Sequence, residues 1–172
     1  MRNVLTDHQR DCLWQALMES EARANFFGHL ASRESSRKRW VTGLSFFLSS
    51  AAIVTLLANH PYLSLVASVI VAIMNGYTIA VNQDNTIKVY SRLQTGWLNL
   101  NQRYNNLWSH IDDEDAEERM ERYEDRGIEL SVTAASEVPH NEKLWKRCLQ
   151  SVYKKHETNA HHEQEQRSDA RE

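Results

Sequence analysis

Charged residues are missing from the middle of this chain, and the gap separates two polar arms. No Lys, Arg, Asp or Glu occurs from Trp40 to Gln83, although 25% of the 172 residues are charged. Two apolar stretches, 40–58 and 62–81, occupy this region, with only Asn59-His60-Pro61 between them. About 20 apolar residues form a helix long enough to cross a ~30 Å hydrocarbon core. The pattern therefore predicts two transmembrane helices that form a two-pass hairpin.

The flanking charges indicate an orientation. Basic residues precede the first stretch (Arg33, Arg37, Lys38 and Arg39) and follow the second (Lys88 and Arg92). The short turn has no Lys or Arg, so the positive-inside rule places both termini in the cytoplasm. We interpret Arg37, Lys38 and Arg39 as a topology anchor, with a lipid-headgroup site as the alternative. A signal peptide does not explain a stretch that starts only at position 40; a buried hairpin of a soluble protein is the other alternative.

Small residues recur every four positions in the second stretch: Ser64, Ser68, Ala72, Gly76 and Ala80. On a helix they form one stripe, and small residues let membrane helices pack closely. We expect this stripe to pack on the first stretch, which contains Ser49 and Ser50, on neighbouring copies, or on both. Asn75 needs a polar partner in lipid, either an interhelical hydrogen bond or a water-filled pore. Neither stretch carries a charge, which argues against a transporter.

Both polar arms have helical periodicity. The seam after the second stretch alternates steps of three and four, and consists of Tyr90, Leu93, Trp97, Leu100, Tyr104, Leu107 and Ile111. It predicts a coiled-coil-like helix over 82–126. The N-terminal arm, 1–39, predicts an amphipathic helix that Thr6 or Asp7 would cap, with Leu13, Leu17 and Phe27 on its apolar face. Connectivity then makes these two helices an antiparallel stalk or an oligomer contact in an all-α protein.

The C-terminal third is less regular. An acidic run over 112–126 ends at Gly127, which we expect to break the helix, and 128–138 is too short for a stable sheet. Pro139-His140-Asn141 predicts the entry to a basic amphipathic helix over 139–157. That helix would dock on the stalk, lie on the inner leaflet or bind a partner. The polar segment 158–172 is expected to be a disordered tail.

Composition and motifs exclude several classes. A net charge of −3 and a pI near 6.2 do not suit direct nucleic-acid binding. Cys12 and Cys148 lack the paired spacing of a disulfide framework or a zinc site. Phosphate-binding, nucleophile-elbow and metalloprotease motifs are absent from the sequence. We therefore expect no enzyme activity, no cofactor and no metal.

The layout resembles that of the SLATT proteins, which are small bacterial membrane effectors with two transmembrane helices. The resemblance covers roughly residues 10 to 155. Its order is an amphipathic N-terminal helix, an Arg-rich entry (Arg37-Lys38-Arg39-Trp40), a Ser- and Ala-rich first span, a very short turn, a second span with Asn75, and an aromatic-rich cytoplasmic helix with Tyr90 and Trp97. The match lies in the architecture, and no catalytic motif accompanies it.

The resemblance implies a role in bacterial anti-phage defence. Such an effector is held inactive beside a sensor, either a nucleotide-second-messenger synthase or a reverse transcriptase. When triggered, it oligomerises and disrupts or permeabilises the inner membrane. The alternative is a non-enzymatic membrane anchor or scaffold that recruits a cytoplasmic partner through its helical arms. Leakage from cells would favour the effector, and a stoichiometric partner without leakage would favour the scaffold.

Overall fold

The computed structural model describes residues 5–48, 62, 65–66, 68–70, 72–73, 76, 83–139 and 141–169. Four helices have described bounds: α1 (Asp7–Leu48), α2 (Gln83–Ser109), α3 (Ala116–Glu137) and α4 (Glu142–Asp169). Strands do not occur in these residues. The expectation of an all-α protein is confirmed.

Local sequence explains where α1 and α4 begin. Thr6 and Gln9 form a reciprocal capping box, in which the Thr6 hydroxyl accepts the Gln9 N–H at 3.3 Å and the Gln9 side chain accepts the Thr6 N–H at 2.8 Å. At the other end of the chain, Asn141 Oδ1 accepts the Leu144 N–H at 3.1 Å. Each cap satisfies a backbone donor that the first helical turn leaves without a partner.

The chain divides into two compact units, and the larger one comprises residues 1–28 and 90–172. Within it, α1 and α2 pack antiparallel. Trp14 near the start of α1 lies 5.3 Å from Trp108 near the end of α2, measured between ring centroids. Further along α1, Ser20 Oγ accepts a hydrogen bond from Asn101 Nδ2 at 3.1 Å. Later residues of α1 thus contact earlier residues of α2, which is the order expected for antiparallel helices.

Helix α3 returns along α2. The Tyr104 and Tyr123 rings are 5.8 Å apart, and the Leu130 side chain lies against Gly96. The sequence prediction that Gly127 breaks the helix is wrong, because α3 continues through it. A Cβ at Gly127 would lie 3.6 Å from the Leu100 side chain, which is an ordinary van der Waals contact, so α3 packs on α2 here without requiring glycine. Packing outweighs its intrinsic helix cost of about 1 kcal/mol.

The predicted single helix over 82–126 is interrupted. Helix α2 ends at Ser109, and a tight turn over 110–115 leads into α3. Four acids, Asp112, Asp113, Glu114 and Asp115, lie in this turn. Acidic side chains destabilise the C-terminal end of a helix and stabilise an N-terminal end, so the same charges stop α2 and start α3.

Helix α4 crosses α1 obliquely. Its first turns bring Trp145 to Arg23 and Phe26, whereas Lys155 and His156 contact Glu21. Arg23 and Glu21 are two positions apart and therefore point to opposite sides of α1. Helix α4 also continues to Asp169. The expected disordered tail is thus helical over 158–169, a stretch that contains neither glycine nor proline.

The core of this unit lies where α1 faces the other three helices. Six of the seven predicted seam residues are buried, and Ile111 is half-buried because it falls in the turn after α2. The predicted face of α1 is buried as well. Met18 and Ala22 on another side of α1 are also buried, since α1 contacts several helices.

The second unit comprises residues 29–89. In its described part, Lys38 Nζ and Asp84 Oδ1 form an ion pair between the flanks of the uncharged region. The predicted spans 40–58 and 62–81 lie largely outside the described residues, and 40–48 belongs to α1. Among the described residues, no helix has the length and apolar character of a membrane span.

Candidate functional site

The predicted small-residue stripe is described at three of its positions. Ser68, Ala72 and Gly76 are helical and exposed. A Cβ built at Gly76 would meet no atom within 4 Å, so this position has room for a close neighbour. The other predicted packing or pore residues lie outside the described residues: Ser49, Ser50, Ser64, Asn75 and Ala80.

The predicted topology anchor is described in full. Arg37 and Arg39 are exposed, and Lys38 is half-buried. The hydrogen bond from Lys38 and its positive charge lower the pKa of Asp84. An arginine pair and a lysine at the edge of the uncharged region have the charge that binds anionic headgroups or fixes topology.

An arginine between two tryptophans forms a cluster that the sequence patterns do not indicate. The Arg23 guanidinium carbon lies 4.8 Å from the Trp97 ring centroid and 5.5 Å from that of Trp145. Glu19 Oε1 accepts hydrogen bonds from Arg23 Nε at 2.9 Å and Nη2 at 2.5 Å. The cluster connects α1, α2 and α4, because its two rings come from different helices. Cation–π pairs strengthen when they are desolvated, and Trp97 is buried.

A groove of about 440 Å³ adjoins this cluster between α1 and the α3–α4 connection. Its lining is mostly apolar and includes Phe26, Val138 and Pro139. Arg23 and Glu19 are its charged members, and they neutralise each other. The geometry serves packing of α4 on α1 and offers no free charge to a ligand.

A second polar cluster joins α4 to α1. The Glu21 carboxylate accepts hydrogen bonds from Lys155 Nζ at 2.6 Å and His156 Nε2 at 2.9 Å. The Glu21 side chain is only 18% exposed. Burial alone would raise the pKa of Glu21, but the bonds from His156 and Lys155 outweigh it and lower the pKa. The cluster therefore holds an ionised carboxylate under α4. Sequence reasoning missed it because its residues lie 134 and 135 positions apart.

A further groove, of about 420 Å³, runs between α1 and α3. Trp97 and Tyr104 of α2 belong to its lining, and Ile128 and Val132 of α3 lie along it. Burial, with the nearby charges of Glu124 and Glu19, raises the pKa of Tyr104 to about 12. The phenol is therefore neutral at physiological pH and cannot act as a base.

The described residues contain no group of three or more His, Cys, Asp or Glu that could hold a metal ion. Burial raises the pKa of the Cys148 thiol, which makes it a poor nucleophile. Half-buried Cys12 has its Sγ 3.8 Å from His8 Nε2, and neither residue lines either groove. The described clusters are contacts between helices, and their chemistry is that of docking.

Comparisons with family models, curated proteins and solved structures return no match. The features that bear on function are those of the chain itself: all-α described residues, a helical bundle, a charged border and an uncharged apolar region.

Proposed function

We propose that this chain is a two-pass membrane effector of the SLATT type, which acts in bacterial anti-phage defence. In this proposal both termini are cytoplasmic, residues 40–58 and 62–81 cross the inner membrane, and copies assemble to disrupt or permeabilise it. The antiparallel cytoplasmic helices form a stalk that carries the activating signal. The effector itself needs no catalytic residue or cofactor.

The observation that carries the proposal is the exposure of large apolar side chains along the uncharged region. Trp40, Phe46 and Tyr62 are 80%, 77% and 87% exposed. Further large apolar residues there are also exposed: Leu44, Phe47, Leu65, Val66, Val69, Ile70 and Ile73. Exposed apolar surface on this scale is unusual on a monomer in water and marks a membrane or protein contact. The absence of any charge over the same residues favours lipid.

The small-residue stripe supports assembly between copies. Ser68, Ala72 and Gly76 are exposed, and the open space at Gly76 would let another helix approach its backbone. Close backbone approach is a main source of helix association in lipid. In this proposal the stripe packs against a neighbouring copy, and Asn75 supplies a polar group to that contact or to a pore.

Continuity of α1 supports a route for the trigger. Helix α1 belongs to the bundle at its start and extends to Leu48, which lies inside the first predicted span. A sensor that binds the bundle could act on the membrane region through this helix. The resemblance suggests a second-messenger synthase or a reverse transcriptase as that sensor.

Induced expression in bacteria with a membrane-potential dye tests the proposal. We expect depolarisation from the wild-type chain and its loss in Gly76→Leu, because a large side chain blocks close packing. Ile70→Leu, an apolar exchange at an exposed position, is the matched control and should depolarise like the wild type. A normal membrane potential despite verified membrane insertion and the trigger would contradict the effector role.

A membrane scaffold is the second candidate, favoured by the exposed charged faces of α3 and α4. In that case the apolar region only anchors the chain, and the bundle recruits a partner. Purification from cells in a mild detergent distinguishes the two. A stoichiometric partner without depolarisation would support the scaffold, and depolarisation by the chain alone would exclude it.

A further inference from the structure

One face of α3 has no covering within the described part of the chain. Ile128 and Val132 are 63% and 64% exposed on this face. Glu121, Glu124 and Asp125 precede them and are exposed as well. Successive residues of a helix are rotated by 100°, and on this basis all five side chains lie within an arc of about 100° around α3. They therefore form one surface, which we call the α3 face. It is acidic at its beginning and apolar at its end.

Helix α4 carries an exposed surface of matching length and opposite charge. Lys143, Arg147, Gln150 and Lys154 follow the same spacing as Glu121, Asp125, Ile128 and Val132. Lys146 and Tyr153 lie beside them, and all six are exposed. We call this surface the α4 face. It points away from Cys148 and Val152, which are buried.

The charges on these two faces are largely available. Glu121, Glu124 and Asp125 make no ion pair with any described residue. The same holds for Lys143, Arg147 and Lys154 on α4, whereas Lys146 pairs with Glu142. A set of uncompensated charges repels its own sign and attracts a complementary surface.

We propose that the α3 face of one copy binds the α4 face of a second copy. In a parallel register, Lys143 and Arg147 lie opposite Glu121 and Asp125. Lys154 then lies at the end of the contact, and Gln150 with the Tyr153 ring covers Ile128 and Val132. Tyr153 would also approach the open groove between α1 and α3, which suits an aromatic anchor surrounded by charges.

Each copy carries both faces, so this contact joins copies either in a closed ring or in an open chain. Both faces belong to the helical bundle, and the contact is separate from the small-residue stripe. The inference adds to the proposed function by naming how the cytoplasmic parts associate. It does not require that the apolar region form a pore.

Charge reversal on the full chain in mild detergent tests the contact. Glu121→Lys with Asp125→Lys reverses the α3 face, and Lys143→Glu with Arg147→Glu reverses the α4 face. We expect each double variant to weaken self-association at least about tenfold, because two attractive pairs become repulsive. The chain with all four changes should associate like the wild type, since its charges are complementary again and its net charge is unchanged. Sedimentation velocity measures the association, and circular dichroism checks the fold.

A matched control changes two acids elsewhere. Asp11→Lys with Glu137→Lys alters the net charge by the same amount at exposed positions outside both faces, and should leave association unchanged. Failure of the four-change chain to recover association overturns the inference, as does equal weakening by the control pair. The contact is also overturned if no charge reversal changes self-association. If the chain still depolarises cells in that case, the proposed membrane role is unaffected.

Discussion

Removal of the Arg23 charge is the sharpest test of how α4 docks. In Arg23→Met the side chain keeps its length and apolar contacts but loses its stacking on Trp97 and Trp145 and its pair with Glu19. The cation–π contact of Arg23 with buried Trp97 should contribute about 1 kcal/mol, and the contact with half-buried Trp145 should contribute about 0.5 kcal/mol. The helical ion pair adds about 0.3–0.5 kcal/mol. We therefore expect a loss of about 2 kcal/mol in the free energy of unfolding.

Arg122→Met is the matched control. Arg122 also pairs with a glutamate four positions before it, Glu118, at 3.4 Å, and it is exposed. Its replacement should cost no more than about 0.5 kcal/mol. Urea unfolding of the purified full chain in mild detergent, followed by circular dichroism, measures both.

A double-mutant cycle isolates the contact between α1 and α4. Arg23→Met and Trp145→Leu should be coupled by about 0.5 kcal/mol, because each removes the same stacking interaction. Zero coupling, or an Arg23→Met effect equal to that of Arg122→Met, would refute this account of α4 docking.

Three further predictions follow from burial and charge. Because the pKa of Glu21 lies below its ordinary 4.5, its carboxylate stabilises the fold above that pH, and this contribution is lost as the pH falls through the lowered pKa. The stability difference between the wild type and Glu21→Gln, measured in unfolding curves, should therefore disappear in acid. A difference that persists in acid would mean that Glu21 is not paired. Leu107→Ala should cost about 2–5 kcal/mol in urea unfolding, because the side chain is fully buried, whereas exposed Leu98→Ala should cost much less; equal losses would contradict the packing of α2. A thiol reagent should modify half-buried Cys12 well before Cys148, because Cys148 is 5% exposed and its thiol has a raised pKa. Mass spectrometry measures the order of modification, and the reverse order would contradict the docked position of α4.

The sequence predicts those parts of the fold that depend on local periodicity. The seam from Tyr90 to Leu107 is buried because steps of three and four keep its side chains on one side of a helix. Thr6 and Asn141 stand at helix starts because their short polar side chains cap backbone donors. Such signals need only neighbouring residues.

The errors occur where tertiary packing outweighs local preference. Gly127 has a low intrinsic helix propensity, yet it lies inside α3, because the packing of that helix on α2 outweighs the local cost. The periodicity predicts one helix over 82–126, whereas the acidic charges after Ser109 separate two helices. The clusters around Arg23 and Glu21 combine residues far apart in the sequence, so no spacing rule could have indicated them.

The central claim is that lipid surrounds residues 40–58 and 62–81. Washing membranes from expressing cells with alkaline carbonate tests it most directly, because the treatment releases peripheral proteins and leaves spanning helices in the bilayer. The account predicts that the chain stays in the membrane pellet and needs detergent for release. A chain that appears in the alkaline supernatant and sediments as a monomer without detergent would contradict it.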